Sequence, residues 1–326
     1  MNDIQKSNIK KLRNERLKRW EEFHEKKNIA LTKSSHYSLD YNDYEVYKQF
    51  IKTYIGLNGE NEVYILLLGF TERLLSLIKD ISSGFKVKVK IIDYYINKEI
   101  KNILSGLELD IELIAGEWQL IKKIFQNNFF DIILGDAVFS NLLYEDIFKL
   151  ISLLRLKIKD TGIFIFREIT KASNFYKVES LLDDFMNKLI SEEDFYIRLR
   201  FNSVITQNLF TKEKDLDGGK FFIKLEEFIK NGSLKKEEKI ILEKIILKMK
   251  NRIIHTILDI SEYIKIFNHV NFFPTVLELK GCYSLFFYNP EFILFDVLDD
   301  KKIRVNIIEE KKKIILKYIS EVPGCS

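Results

Sequence analysis

The 326-residue chain is poor in cysteine, proline and histidine, with two, three and four residues of these types. Cys282 and Cys325 are too few for a disulfide framework or a cysteine-rich zinc site, and they fit a reducing, intracellular compartment. Three prolines and 13 glycines exclude collagen and proline-rich arrays. The histidines have no metal-ligand spacing, so no metal is expected.

Long apolar runs and net charge are also lacking. The longest runs, such as residues 64–68, are far shorter than the roughly 20 residues of a membrane-spanning helix, and no apolar signal segment opens the chain. A cytoplasmic protein without a membrane partner is expected. The net charge of +4 is too small to indicate a nucleic-acid partner, so none is expected. Apolar residues at 46% and charged residues at 31% exclude disorder of the whole chain.

The first residues predict an amphipathic helix over 3–29, with Ile9, Leu12, Leu17, Trp20 and Phe23 close to one face. Seven of the first twenty residues are basic. This helix either packs on the body of the protein or covers a pocket or an anionic surface. A second helix is predicted over Tyr44–Tyr54.

From residue 63 onward, apolar runs of strand length alternate five times with amphipathic segments. Strands are predicted at Val63–Leu68, Val87–Ile92, Ile111–Ile114, Phe130–Leu134 and, after a turn at Lys159–Gly162, Gly162–Phe166. Helices are predicted at Thr71–Lys79, Ile96–Leu104 and Tyr144–Leu156. This alternation indicates an α/β fold with a doubly wound, Rossmann-like sheet, whose ligand binds beyond the carboxyl ends of the strands.

Four segments are expected along the chain. They are an N-terminal helical segment (1–55), a Rossmann-like cofactor-binding core (56–173), a helical insertion or cap (174–270) and a C-terminal segment that returns to the sheet edge (271–326). In the last segment, Phe292–Leu298 and Ile314–Ile319 are predicted to pair as a hairpin.

Three consecutive strand ends carry residues suited to a nucleoside. Gly69 follows the first strand, where it is either a plain turn or a close-approach site for a ligand. Asp93 follows the second, 24 residues after Gly69, and either caps the next helix or accepts hydrogen bonds from ribose hydroxyls. Glu117 and Trp118 follow the third, where Trp118 is either a core residue or a stacking surface for adenine.

Several motifs resemble the class I S-adenosylmethionine-dependent methyltransferases, in particular a bacterial subgroup whose first loop reads L-L-L-G-x-T-x-E-L. The segment Leu66–Leu74 is similar to that loop, with Phe70 and Arg73 as departures from the subgroup. Residues 116–118 correspond to a G-D-W motif, and residues 130–136 to F-D-x-V-x-G-D. The resemblance covers about a third of the chain well and most of it loosely.

The resemblance implies S-adenosylmethionine as cofactor and methyl transfer as activity. The residues it implies for cofactor binding are Gly69, Phe70, Thr71, Asp93, Tyr94, Gly116, Glu117, Trp118, Asp136 and Ala137. Asp136, His269 and Glu168 are candidate bases, although a packed core role is equally open for His269. Methyl transfer to a small-molecule acceptor is the expected function. A catalytically degenerate methyltransferase-fold binding protein and an RNA or protein methyltransferase remain as alternatives.

Overall fold

The computed structural model describes residues 11–19, 22, 41–57, 62–83, 85–171, 174–211, 214–249, 253–272, 275–278, 283–288, 305–310 and 313–318. The chain divides into two compact units, which we describe separately. The helical unit comprises Met1–His36, Phe139–Glu145 and Ile169–Asp259. The sheet unit comprises Tyr37–Val138, Asp146–Glu168 and Ile260–Ser326.

The helices are α1 (residues 11–19), α2 (Tyr41–Leu57), α3 (Glu72–Ile81), α4 (Lys98–Ser105), α5 (Ile121–Ile124), α6 (Tyr144–Lys157), α7 (Val178–Met186), α8 (Glu192–Asn202), α9 (Gly218–Asn231), α10 (Lys236–Met249) and α11 (Ile260–His269). The strands are β1 (Val63–Leu68), β2 (Val87–Asp93), β3 (Asp110–Ala115), β4 (Phe130–Asp136), β5 (Ile158–Ile169), β6 (Asp215–Asp217), β7 (Ile254–Thr256), β8 (Thr275–Glu278), β9 (Tyr283–Tyr288), β10 (Val305–Glu310) and β11 (Lys313–Tyr318).

The first five strands form the parallel centre of the sheet in the order β3-β2-β1-β4-β5. Strands β1 and β4 are buried on both faces, as expected for central parallel strands covered by helices. The strand order reverses direction at β1, because the chain moves outward to β2 and β3 and then returns to β4 on the other side. This topology confirms the predicted doubly wound α/β fold.

The helices of the sheet unit cover these strands with apolar faces. In α3, for example, Leu74, Leu75, Leu77 and Ile78 are all fully buried. The helices predicted between residues 44 and 156 are present, and their ends differ from the predicted ends by at most three residues. Within the helix predicted over 3–29, residues 11–19 are helical, and residues 3–10, 20, 21 and 23–29 lie outside the described part of the chain.

The turn predicted at Lys159–Gly162 is wrong, because β5 already starts at Ile158 and includes these residues. Phe130 pairs with Ile158 and Ile132 pairs with Ile163, so β5 carries extra residues opposite Asp131. A Cβ on Gly162 would lie 2.6 Å from Ile158 Cγ1 and 2.9 Å from the Asp131 carbonyl oxygen. The glycine therefore permits close packing at a strand irregularity, and not a turn.

Beyond β5 the sheet continues with β9, β8, β11 and β10. The antiparallel hairpin at the sheet edge pairs β11 with β10, so Val305–Glu310 is the partner of the predicted strand near residue 314. The other predicted hairpin strand, Phe292–Leu298, lies outside the described residues.

The helical unit contains α1, α7 to α10 and the antiparallel pair β6–β7. Its apolar core includes Leu182, Phe195 and Phe221. The division into four segments predicted above stays a prediction. No helix in the described part of the chain is long and apolar enough to span a membrane.

Candidate functional site

The turn after β1 depends on Gly69, which has a φ of +87°. L-residues with a Cβ rarely adopt this backbone conformation, whereas glycine does so without steric cost. The Gly69 amide donates to the Ile92 carbonyl oxygen at 2.9 Å, which ties the turn to the end of β2. Phe70 is half-buried against the apolar core, and Thr71 precedes α3 without capping it through its side chain. The end of β1 therefore presents the backbone of Gly69, without a side chain, at this edge of the sheet.

Asp93 joins the turns that follow β1 and β2. Its Oδ2 accepts a hydrogen bond from the Phe70 amide at 2.6 Å, and its Oδ1 accepts one from the Tyr95 amide at 2.9 Å. Burial raises the pKa of the Asp93 carboxyl, and the backbone amides of Phe70, Tyr95 and Tyr94 oppose this shift. A carboxylate offers about four acceptor positions, so Asp93 can still accept a hydrogen bond from a ligand beside the three amides.

Trp118 completes the rim from the end of β3. Its indole Nε1 donates to the Ile92 carbonyl oxygen at 3.0 Å, and the Gly116 amide donates to the Asp93 carbonyl oxygen at 2.9 Å. A Cβ placed on Gly69 would lie 3.8 Å from Asp93 Oδ2 and 3.9 Å from Trp118 Cζ2. The three strand ends therefore converge on one small space, which we call the nucleoside rim after the ligand that the sequence analysis predicts there (Gly69, Asp93 and Trp118).

The nucleoside rim combines a carboxylate, an aromatic ring and an exposed backbone segment. Glu117 and Tyr94 are exposed beside it, and the Glu117 side chain makes no helix-capping hydrogen bond. Such a set can stack a planar ring and accept hydrogen bonds from a diol or an exocyclic amine.

Asp136 at the end of β4 is engaged by an arginine that the sequence analysis did not assign to the site. Arg167 Nε lies 2.8 Å from Asp136 Oδ1, and Arg167 Nη2 lies 3.1 Å from Oδ2. Both side chains are almost fully buried. Burial raises the pKa of Asp136, and the charges of Arg167 and Arg73 oppose this shift. The two-point pair favours the ionised form of the carboxylate and fixes its orientation.

Ala137 follows with a φ of +52°, and its amide donates to the Arg167 carbonyl oxygen at 2.7 Å. Tyr47 of α2 also reaches this strand end, because its buried hydroxyl donates to the Gly135 carbonyl oxygen at 2.8 Å. A charged residue inside the apolar run of β5 was the available sequence signal for Arg167. Nothing in the sequence pattern distinguished Tyr47.

The two remaining candidate bases lie in different surroundings. Glu168 is fully buried, and its charge adds to the effect of burial in raising the pKa of Tyr263 well above the usual range. His269 is exposed at the end of α11, where its ring lies 5.2 Å from that of Phe148. The structure therefore brings together the residues at the ends of β1, β2 and β3, with Asp136 held by Arg167 at the end of β4.

A separate surface cleft of about 290 Å³ lies near the amino ends of the same strands. Its lining includes Glu62, Lys86, Lys88 and Glu108, and Glu62 and Lys88 form an ion pair at 3.0 Å. Ligands of doubly wound sheets bind at the opposite edge, and we assign no function to this cleft.

Sequence comparisons do not assign the chain to a known family. No family model matches the chain, and no curated protein matches it. Among solved structures, the PH0226 protein from Pyrococcus horikoshii OT3 is 13% identical with a TM-score of 0.46, over 82% of this chain and 99% of the other. A putative Zn-dependent alcohol dehydrogenase from Rhodobacter sphaeroides is 12% identical with a TM-score of 0.44, over 79% and 92% of the two chains. DhpI, in a complex with SAM and HEP, is 10% identical with a TM-score of 0.41, over 86% and 96%. The functional interpretation therefore depends on the residues at the strand ends.

Proposed function

We propose that the protein is an S-adenosylmethionine-dependent methyltransferase that acts on a small-molecule acceptor. The observation that carries this proposal is the convergence of Gly69, Asp93 and Trp118 around a space that a single Cβ would begin to fill. An adenosine fits the chemistry of this rim, with Trp118 against the base and Asp93 toward the ribose hydroxyls. Glu117, which is exposed beside Trp118, is the proposed acceptor for the exocyclic amine.

The hydrogen bond from the Phe70 amide to Asp93 favours a cofactor without phosphate. Dinucleotide sites use the free amides of the glycine-rich loop to hold a pyrophosphate. Here the Phe70 amide is already bonded to Asp93 Oδ2 at 2.6 Å, and the carboxylate repels a neighbouring phosphate. A nucleoside that carries a sulfonium cation meets no such repulsion. S-adenosylmethionine therefore suits the rim better than a dinucleotide does.

The surroundings of the candidate bases favour an acceptor that is nucleophilic without strong base assistance. When bound, S-adenosylmethionine supplies a methyl group whose bond to sulfur breaks as a lone pair of the acceptor attacks, and the sulfur keeps the electron pair. Asp136 is held by Arg167, and Glu168 is fully buried. We therefore propose an amine, a thiol or an already ionised hydroxyl as acceptor, with this chain contributing mainly proximity and orientation.

Fluorescence titration offers a direct test, because the chain has only two tryptophans, Trp20 and Trp118. In a Trp20→Phe variant the emission comes from Trp118 alone. Titration with S-adenosylhomocysteine is expected to quench this emission with saturation, whereas NADH is expected to show no saturable binding by calorimetry. In the matched Trp118→Phe variant, Trp20 is expected to report no change. Saturable binding of NADH without binding of S-adenosylhomocysteine would reject the proposal.

Substitution of Glu117 tests the adenine contact without disturbing the backbone. Glu117→Gln is expected to weaken S-adenosylhomocysteine binding roughly tenfold by calorimetry, since it weakens one charge-assisted hydrogen bond. Asp93→Ala is a poor test of ribose binding, because the same carboxylate also holds the Phe70 and Tyr95 amides. An unchanged affinity in Glu117→Gln would remove Glu117 from the proposed site.

A further inference from the structure

A buried arginine of helix α1 connects parts of the helical unit that are distant in sequence. Arg16 is only 4% exposed. Its Nη1 donates to the Leu142 carbonyl oxygen at 2.5 Å, and its Nη2 donates to Asp215 Oδ1 at 2.5 Å. The same Nη2 also donates to the Thr256 hydroxyl at 2.8 Å. We call Arg16, Leu142, Asp215 and Thr256 the Arg16 cluster.

The other members of the Arg16 cluster also contact one another. The Thr256 hydroxyl lies 2.7 Å from Asp215 Oδ1 and 2.5 Å from the Leu142 carbonyl oxygen, and its single proton serves one of them at a time. Asp215 and Thr256 are both buried. The Leu142 carbonyl oxygen is thus within hydrogen-bond distance of two donors, the guanidinium and the hydroxyl.

Leu142 belongs to the segment Phe139–Glu145, which follows β4 in the chain and starts three residues after Asp136. The segment begins with a short 3-10 turn, Phe139–Asn141, and the Leu142 amide donates to the Phe139 carbonyl oxygen at 3.0 Å. This turn packs against β7, the strand that contains Thr256. The helical unit therefore fixes the conformation of this segment.

If burial were all that held helix α1 in place, an apolar side chain would serve better than the guanidinium of Arg16. Buried ion pairs add little stability over apolar contacts of similar volume, because both charges lose their hydration. The planar fork of an arginine adds direction, since its two nitrogens meet two acceptors in a fixed geometry. In the Arg16 cluster one nitrogen faces the Asp215 carboxylate and the other faces the Leu142 carbonyl.

We propose that Arg16 is the residue that positions the segment Phe139–Glu145 within the helical unit. It holds Phe139–Glu145, the segment after β4, in a single conformation through the Leu142 carbonyl oxygen. Asp215 holds the guanidinium in place. This inference concerns the conformation of Phe139–Glu145 and goes beyond the proposed function.

Three variants separate positioning from simple charge balance. Arg16→Met removes both interactions, whereas Arg16→Lys keeps a positive charge for Asp215 but has one nitrogen, which cannot occupy both positions. Arg19→Lys is the matched control, because Arg19 lies on the same helix and pairs with Asp217 and Glu15. If Arg16→Met does not fold, Arg16→Lys still provides the test.

Amide hydrogen exchange in the full chain provides the readout. In Arg16→Lys we expect the Leu142 amide to exchange at least roughly tenfold faster than in the unsubstituted protein, with the melting temperature largely kept. The Ala137 amide, which donates to Arg167 in the sheet unit, is the internal reference and is expected to stay unchanged. Arg19→Lys is expected to leave the Leu142 amide unchanged. The inference would be overturned if the Leu142 amide of folded Arg16→Lys exchanged at the same rate as in the unsubstituted protein. It would also be overturned if all amides of the helical unit exchanged faster by the same factor.

Calorimetric titration with S-adenosylhomocysteine keeps this inference distinct from the proposed function. If the unsubstituted protein does not bind this ligand, the proposed function fails, and the exchange result still decides the role of Arg16. If it binds, Arg16→Lys is expected to retain the affinity within about twofold, because the nucleoside rim and the Arg16 cluster have no residue in common. A loss of affinity as large as that of Glu117→Gln would contradict a role confined to Phe139–Glu145.

Discussion

The nucleoside rim and the Arg16 cluster both join distant parts of the chain through polar groups, but by different means. At the rim, the side chains of Asp93 and Trp118 bond to backbone groups of neighbouring strand ends. In the Arg16 cluster, one side chain reaches partners 126, 199 and 240 residues away. The rim therefore follows from the order of the strands, whereas the cluster exists only once the helical unit has folded.

The largest expected effect comes from removing the charge at the centre of the Arg16 cluster. Arg16→Met leaves the Asp215 carboxylate buried without its cation, and we expect a loss of about 3–5 kcal/mol in the free energy of unfolding, measured in urea. Arg19→Met is the control, because Arg19 pairs with Asp217 where both side chains are about one-fifth exposed, and a loss below about 1 kcal/mol is expected. Equal losses in the free energy of unfolding would mean that the buried ion pair of Arg16 contributes no more to stability than the partly exposed pair of Arg19.

This contrast also explains how much the sequence could predict. The apolar runs predicted strands β1 to β4, and the residues that follow these runs pointed to Gly69, Asp93 and Trp118, which the structure brings together. The pairing of Arg167 with Asp136 was missed, because parallel register places these residues side by side only after β4 and β5 have paired. Arg16 was missed as an individual residue, because nothing in a basic amphipathic helix marks which arginine is buried. The turn at Lys159–Gly162 was wrong, because a polar Asp-Thr-Gly stretch also fits an irregular strand.

The turn at Gly116, two residues before Trp118 of the nucleoside rim, depends on an unusual backbone conformation. Gly116 has a φ of +146°, and a Cβ there would lie 2.2 Å from Leu120 Cδ1. We expect Gly116→Ala to lower the free energy of unfolding by about 1–3 kcal/mol, because the Leu120 side chain can move aside but the backbone strain remains. Gly106→Ala is a suitable comparison, since a Cβ there would make an ordinary contact of 3.5 Å and the backbone conformation is helical. A Gly116→Ala variant as stable as Gly106→Ala would contradict the strained turn.

The pH dependence of stability tests the environment of Asp93. Because burial raises its pKa in the folded protein, protonation favours the folded state. The resulting stabilisation is complete below the unfolded pKa of Asp, about 3.9, and is lost as the pH rises through the folded pKa. The melting temperature of the unsubstituted protein, relative to that of Asp93→Asn, is therefore expected to increase as the pH falls from 7 toward 4. If this difference in melting temperature instead decreases as the pH falls, the hydrogen bonds from the Phe70 and Tyr95 amides lower the pKa of Asp93 more than burial raises it.

The smallest effects compare two glycines of the sheet unit, of which only one belongs to the rim. Gly69→Ala must adopt a φ of +87°, and we expect a loss of about 1–2 kcal/mol in the free energy of unfolding. Gly56 lies in α2 with no atom within 4 Å of a Cβ placed on it, so Gly56→Ala is expected to gain about 0.5–1 kcal/mol through helix propensity. The added methyl group at residue 69 also enters the space between Asp93 and Trp118, so calorimetry should show weaker binding of S-adenosylhomocysteine in Gly69→Ala and unchanged binding in Gly56→Ala. Equal affinities in both variants, with Gly69→Ala still folded, would place the nucleoside away from this rim, because a ligand seated between Asp93 and Trp118 has to contact the new Cβ.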